Sequence, residues 1–463
     1  MLMPLPHPTQ PAYQVVDPAT GELVESFPYA TDAEVGEILA TSRSAYLDWR
    51  DRALAERTDL IRRAGARLLD RAHELAETMR LEMGKPAAEG VEEIEYCASI
   101  FDYYVDEGRG LLADEELPTR GEGRAIVQHR PIGPLLGVMP WNYPCYQVAR
   151  FVVPNLVLGN TVIIKHAESV PRTARALEQV MLDAGLPHGA YLNVFATHEQ
   201  VETIIADPRV QGVSLTGSER AGSVVAAAAG RHLKKCVLEL GGSDPFIVLD
   251  SADVPAMADL AWQTRIHNNG QACNSNKRMI VMDEIYDEFV AALVAKAEAV
   301  EDTAHPPLAS RAAAEHLAAQ VDDAIAKGAR LLAGGVLAQD GSARYTPAVL
   351  VGVTEGMRAY HEELFGPVAV VYRVLHDDHA VELANSSAYG LGGAVFSTDP
   401  GRARRVAERL EIGMANVNTS SGDGPELPFG GVKRSGFGRE LGPGGMSEFV
   451  NKRLVYTAAN PHA

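Results

Sequence analysis

Cysteine is scarce in this chain. There are four in 463 residues, at Cys97, Cys145, Cys236 and Cys273, with no C-x-x-C pair and no histidine at ligand spacing. That excludes a disulfide framework, argues against a metal site, and predicts four reduced thiols in a reducing compartment. Positive charge is in deficit as well: 42 Lys and Arg stand against 61 Asp and Glu, a formal net charge of −19. Nucleic acids and anionic membranes need a basic footprint, so neither is an expected partner. No charge-free apolar stretch is long enough to span a bilayer. The segment Met1 to Gln10 is proline-rich and lacks a positive region followed by an apolar run, so no signal peptide is expected. The expected location is the cytoplasm.

What is present is enough apolar material, 46% of the residues, for two or more domains with large cores. Residues 31–80 read as helical, opened by the capping signal Thr31-Asp32-Ala33-Glu34. A second helical stretch runs from about Ala87 to Gly108. Residues 124–130 alternate as an exposed strand up to Pro131. From Gly133 short apolar runs at 135–139, 161–165, 192–195 and 212–215 alternate with helical segments at 172–184, 199–206 and 220–229. A second alternating block begins at Pro245-Phe246-Ile247-Val248-Leu249 and continues to about Val417. Continuous apolar strands separated by helices predict α/β architecture with doubly wound parallel sheets, which bind ligands beyond the carboxyl ends of their strands. There is no internal repeat.

Chemistry-bearing residues collect at those ends. Pro140-Trp141-Asn142-Tyr143-Pro144 follows the first strand, and its two prolines make the Asn142 amide a fixed donor suited to a developing oxyanion. A proline-bounded turn is the alternative. Lys165 and Glu168 follow the next strand and suit ribose hydroxyls, or are solvated end charges. Gly217-Ser218 opens an Ala-rich helix without a G-x-G-x-x-G pattern, giving either an anion site or an ordinary N-cap. His361-Glu362-Glu363 abuts Leu364-Phe365-Gly366-Pro367. Finally, Cys273 ends the run Asn268-Asn269-Gly270-Gln271-Ala272-Cys273, downstream of Leu238-Glu239-Leu240-Gly241-Gly242. A thiol presented beside glycine and a carboxylate at a strand end make a nucleophile and a general base.

Taken in order, Pro140 to Pro144, Leu238 to Gly242, Gly270 to Cys273, Glu363 to Pro367 and Leu427 to Gly438 resemble the NAD(P)-dependent aldehyde dehydrogenases, over about Tyr13 to Tyr456. The resemblance implies two doubly wound parallel-sheet domains and a small bridging element. Residues 1–120 and 131–240 would form the cofactor-binding domain, 241–417 the catalytic domain, and 121–130 with 443–457 the bridging strands of a homodimer or homotetramer. It implies that Cys273 attacks the aldehyde carbon, that Asn142 and the Cys273 amide hold the oxyanion, and that Glu239 activates water to hydrolyse the thioester. Trp141, Lys165, Glu168, Gly217, Ser218, Glu363 and Phe365 would bind the cofactor. Glu168 would repel a 2′-phosphate, so NAD is expected, with NADP possible because His166 and Arg172 lie near.

Gly230-Arg231-His232-Leu233-Lys234-Lys235 and Pro425-Glu426-Leu427-Pro428-Phe429 look most like the succinate-semialdehyde dehydrogenase branch. There Arg150 would anchor the substrate carboxylate, with Ser421 and His267 beside it. His267 departs from the second arginine carried by some members. Residues 301–308 are shorter than the family's loop, and Asn274-Ser275-Asn276 is more polar than usual. Cys145 is a candidate cleft-lining thiol. A dehydrogenase for aromatic or aliphatic aldehydes is the alternative, and a non-catalytic binding protein the alternative from another class.

Overall fold

The computed structural model describes residues 13–300, 305–422 and 424–459. The prolines and leucines of Met1 to Gln10 and the first half of the shortened loop, 301–304, lie outside the described residues. Among the described residues no helix is long and apolar enough to cross a membrane.

Two large sheets carry the fold. The first has six strands in the order Gly436–Phe437, Lys235–Glu239, Gly212–Thr216, Pro134–Met139, Thr161–His166 and Tyr191–Asn193. All neighbours are parallel except the first pair. The second has seven, Arg330–Ala333, Ala348–Val351, Val368–Val374, Arg278–Met282, Pro245–Val248, Gly392–Phe396 and Met414–Val417, with only Arg330–Ala333 antiparallel. Both follow from strands with no polar face. Every residue of Thr161–His166 and of Arg278–Met282 is buried, so each sheet needs helices on both sides. Alternate residues serve the two sides. Leu136, Ile163 and Val213 pack with Val35, Leu39 and Ile204, while Leu135, Val162 and Ile164 pack with Val148, Val152 and Leu156 of the helix Tyr146–Leu158.

The helical reading of 31–80 holds in type and is divided in extent. Thr31 and Glu34 form the capping box, and the helices are Asp32–Trp49, Leu54–Asp70 and Ala72–Met83. Leu60, Ile61, Ala64 and Leu68 face the same core as Leu75, Met79 and Met83, which one straight rod could not arrange. A third sheet joins Glu115–Leu117, Arg124–Pro131 and Val450–Thr457, all antiparallel. Its first strand had no alternation to announce it. Residues 443–448, expected as strand, belong instead to the helix Gly442–Glu448, whose first turn carries Pro443 and whose Gly442 carbonyl accepts from Tyr104 Oη (2.9 Å).

Candidate active site

The carboxyl ends of three adjacent strands in the first sheet bring the predicted binding residues into a row. Gly217 and Ser218 follow Gly212–Thr216, Trp141 follows Pro134–Met139, and Lys165 with Glu168 ends Thr161–His166. Ser218 caps the helix Glu219–Arg231, its Oγ accepting from the Ala221 amide (3.3 Å). Lys165 Nζ stands 3.8 Å from Glu168 Oε1, an oxygen that is buried without a hydrogen-bond partner. Burial pushes the Lys165 amine down, and Glu168 opposes the shift. Trp141 meets Phe365 edge to face at 5.7 Å. The row therefore offers an aromatic pair, a helix N-terminus and an unsatisfied carboxylate oxygen, a set that fits a dinucleotide.

Cys273 comes from the second unit, on the loop before Arg278–Met282. Asn268, Asn269 and Gly270 all have positive φ (50°, 53° and 73°), a run that Asn and Gly tolerate and that turns the loop back toward Asn142. Asn142 Nδ2 donates to the Gln271 carbonyl (2.9 Å), its Oδ1 accepts from Gln147 Nε2 (3.1 Å), and its own carbonyl accepts from Asn268 Nδ2 (2.9 Å). The amide is thus clamped beside the cysteine loop, with a second N–H to spare. The glycine pair Gly241-Gly242 lets Glu363 and the cysteine loop come close. A Cβ on Gly241 would collide with Glu363 Oε2, and one on Gly242 would sit 2.5 Å from the Cys273 carbonyl oxygen.

A cavity of about 740 Å³ opens onto Cys273 and is lined also by Arg150, His267, Ser421 and Asp244. Asn142 and Glu239 lie behind its wall, 4% and 2% exposed. Burial pushes the Cys273 thiol up to about 11; Arg150 and Lys277 pull it down, while Glu363 and Asp244 add to the rise. Glu239 has no hydrogen-bond partner on either oxygen. Burial, reinforced by Glu440, drives its carboxyl well above the ordinary range. A carboxyl so displaced is a stronger base than an ordinary carboxylate and suits the role of proton acceptor.

Arg150 is in the cavity wall, but its charge is already shared. Its Nε is 2.7 Å from Glu440 Oε2, and the guanidinium lies over the rings of Tyr146 (4.7 Å) and Phe429 (4.2 Å). Burial works against its charge, yet Glu440 and its other neighbours hold it protonated, with Nη1 buried and unpartnered. His267 Nδ1 is 3.0 Å from Tyr143 Oη, and its Nε2 faces Glu89 (3.8 Å) and Glu92 (3.7 Å). Ser421 lines the cavity near Ser420. Cys145 does not line it: the thiol is 1% exposed in the core, and its backbone amide donates to Glu93 (2.9 Å). The helix Tyr146–Leu158 that begins there turns Cys145 inward.

Glu362 and Glu363 part company. Glu362 forms a surface pair with Arg358 (2.9 Å), whereas Glu363 points in, accepting from the Gly242 amide (3.1 Å) and standing 3.1 Å from Lys277 Nζ. Sequence reasoning missed Lys277, Asp244 and Glu440. Lys277-Arg278 entering an apolar strand, and Asp244 before Pro245, were visible as charges beside buried strands; Glu440 carried no such signal.

The chain matches the description "Aldehyde dehydrogenase family" over residues 6–455. It is 53% identical over 450 residues to a succinate-semialdehyde dehydrogenase [NADP(+)] of Deinococcus radiodurans, covering 96% of this chain and 94% of that one. It is 41% identical over 452 residues to succinate-semialdehyde dehydrogenase [NADP(+)] 1 of Mycobacterium tuberculosis, covering 96% and 99%. A crystal structure of the Streptococcus pyogenes succinic semialdehyde dehydrogenase with NADP+ superposes with a TM-score of 0.94 at 38% identity, covering 96% of this chain and all of that one. Motifs, sheets, cysteine loop and these likenesses agree: the chain belongs to the aldehyde dehydrogenase family.

Proposed function

We propose that the protein oxidises succinate semialdehyde to succinate with NADP+ or NAD+, in the cytoplasm, as a homo-oligomer paired through its exposed third sheet. The observation that carries the substrate is the buried, unpartnered Nη1 of Arg150 in the wall of the cavity that holds Cys273. A buried cationic N–H without an acceptor is costly, and a substrate carboxylate would satisfy it. His267 and Ser421 line the same cavity and would complete the anchor. The relatives named for NADP(+) weigh against the preference for NAD drawn from Glu168. That carboxylate is turned partly toward Lys165, which softens its repulsion of a 2′-phosphate.

The expected division would stand with one change: the residues around the first sheet within 13–114 and 131–240 would hold the cofactor, Glu115–Leu117 belonging to the third sheet, and 241–417 would hold the nucleophile. Trp141, Lys165, Glu168, Gly217, Ser218, Glu363 and Phe365 would bind the cofactor, which accepts hydride when bound. The Cys273 thiolate adds to the aldehyde carbon, and the resulting oxyanion takes hydrogen bonds from the free Asn142 N–H and the Cys273 amide. Loss of hydride leaves a thioester. Glu239 then removes a proton from water, which attacks the acyl carbon and releases the acid and the thiol.

Initial rates with succinate semialdehyde, pentanal and benzaldehyde, each with NADP+ and NAD+, test this, with C273A as blank. The expected result is Cys273-dependent turnover with kcat/KM highest for succinate semialdehyde. Equal or better turnover of the uncharged aldehydes would refute the substrate.

A further inference from the structure

Lys277 has no assigned part in the chemistry above, yet it is among the largest fully buried side chains, 1% exposed. An amine in such a place needs partners, and its partners are all parts of the site. Nζ donates to the Ala272 carbonyl (2.6 Å) and the Cys273 carbonyl (2.8 Å), and lies 3.1 Å from Glu363 Oε1. The two carbonyls fix the ammonium directly behind the nucleophile's own backbone. Glu363 is the same carboxylate that fills the space left by Gly241.

We propose that Lys277 is a positioning residue whose ammonium charge favours the Cys273 thiolate and whose strength is set by Glu363. This rests on Cys273 being the nucleophile. The groups acting on the thiol are Arg150 and Lys277, which lower its pKa, and Glu363 and Asp244, which raise it; Tyr143 and Tyr146 also interact with it. Arg150 is held by Glu440, so Lys277 is the cation whose balance can change at the cofactor side. While Glu363 leans on Lys277, the two charges largely cancel at the thiol. When Glu363 turns to another partner, the ammonium acts on Cys273 with Asp244 as its remaining carboxylate neighbour. Burial and Lys277 pull Asp244 in opposite directions and leave it at about 7, so near neutrality it offsets Lys277 only in part. Engagement of Glu363 would thus couple to readiness of the nucleophile.

The test is the pH dependence of Cys273 alkylation by iodoacetamide in the enzyme without cofactor, with C273A as blank, in K277M, K277R and E363Q. At pH 7.5, K277M is expected to react about tenfold more slowly, with its profile displaced to higher pH. K277R is expected to stay within about threefold of wild type. E363Q is expected to move the opposite way and react faster. A merely structural lysine would not give displacements of opposite sign. Unmoved profiles in K277M and E363Q would overturn the inference while leaving the nucleophile in place; so would a slower E363Q, even if K277M fails to fold. Turnover of aldehyde by C273A would overturn the nucleophile and the inference together.

Discussion

Replacing Arg150 by Met separates what the buried guanidinium does for the fold from what it does for the substrate. The substitution leaves Glu440 buried, with Ser214 Oγ (3.0 Å) as its remaining hydrogen-bond donor. Removing one partner of a buried pair typically costs about 3–5 kcal/mol, because the other charge stays behind unpaired. Removing both often costs little, so R150M/E440Q is expected to recover most of the loss in urea denaturation. Affinity for the substrate carboxylate is a different matter. A hydrogen bond to a charged group contributes roughly 1.5–3 kcal/mol, so KM for succinate semialdehyde should rise about 10- to 150-fold in the single and the double variant alike. Pentanal, with no carboxylate to anchor, should show no comparable rise. Two results would refute the reasoning. One is recovery of the succinate semialdehyde KM in the double variant; the other is an equal rise for pentanal.

Two further substitutions address the neighbouring steps. E239Q should allow the first hydride transfer and then stall, with about 10²–10⁴-fold slower deacylation and an acyl-enzyme visible by intact-mass spectrometry. In wild type the base is the carboxylate form, so deacylation should fall as pH drops through the raised pKa of Glu239. E239Q should lose that acid limb, and a limb that persists would assign it elsewhere. G241A places a methyl where Glu363 Oε2 now lies, forcing the carboxylate off the Gly242 amide and Lys277. The expected outcome is a rise of about tenfold in KM for NADP+; a wild-type KM would separate Glu363 from cofactor binding.

The parts of the molecule legible in the sequence are those in which the local pattern and the tertiary requirement coincide. Thr161–His166 is buried on both faces, so its apolar run announced it. The Thr31 and Glu34 capping box is a local bond set and was readable as such. Gly270 before Cys273 signalled that the thiol could be presented, although the left-handed run through Asn268 and Asn269 that does so was not foreseen. Glu115–Leu117 was not legible, because three exposed residues have no apolar alternation and exist as strand only through pairing with Arg124–Pro131. The pairs Arg150–Glu440 and Lys277–Glu363 were hidden for a related reason. Each joins residues far apart in the chain, and a lone charge in a sequence does not disclose that its partner will be buried with it.

Those hidden pairs change how the substrate anchor must work. Around Cys273 the cations Arg150 and Lys277 are set against Glu239, Glu440, Glu363 and Asp244. With every group in its ordinary state, that pocket would repel an anionic aldehyde. Burial answers part of this: it raises the Glu239 carboxyl well above the ordinary range, and it holds Asp244 at about 7, which leaves Asp244 partly protonated and less negative near neutrality. At the rim, His267 also faces Glu89 and Glu92, so it adds less to the anchor than Arg150. Under the proposed function, selection for a carboxylate therefore falls on the unpartnered Nη1 of Arg150, with Glu440 holding the guanidinium in place. A second arginine at the position of His267 would be drawn to the same two glutamates, so under the proposed function the departure to histidine costs the anchor little.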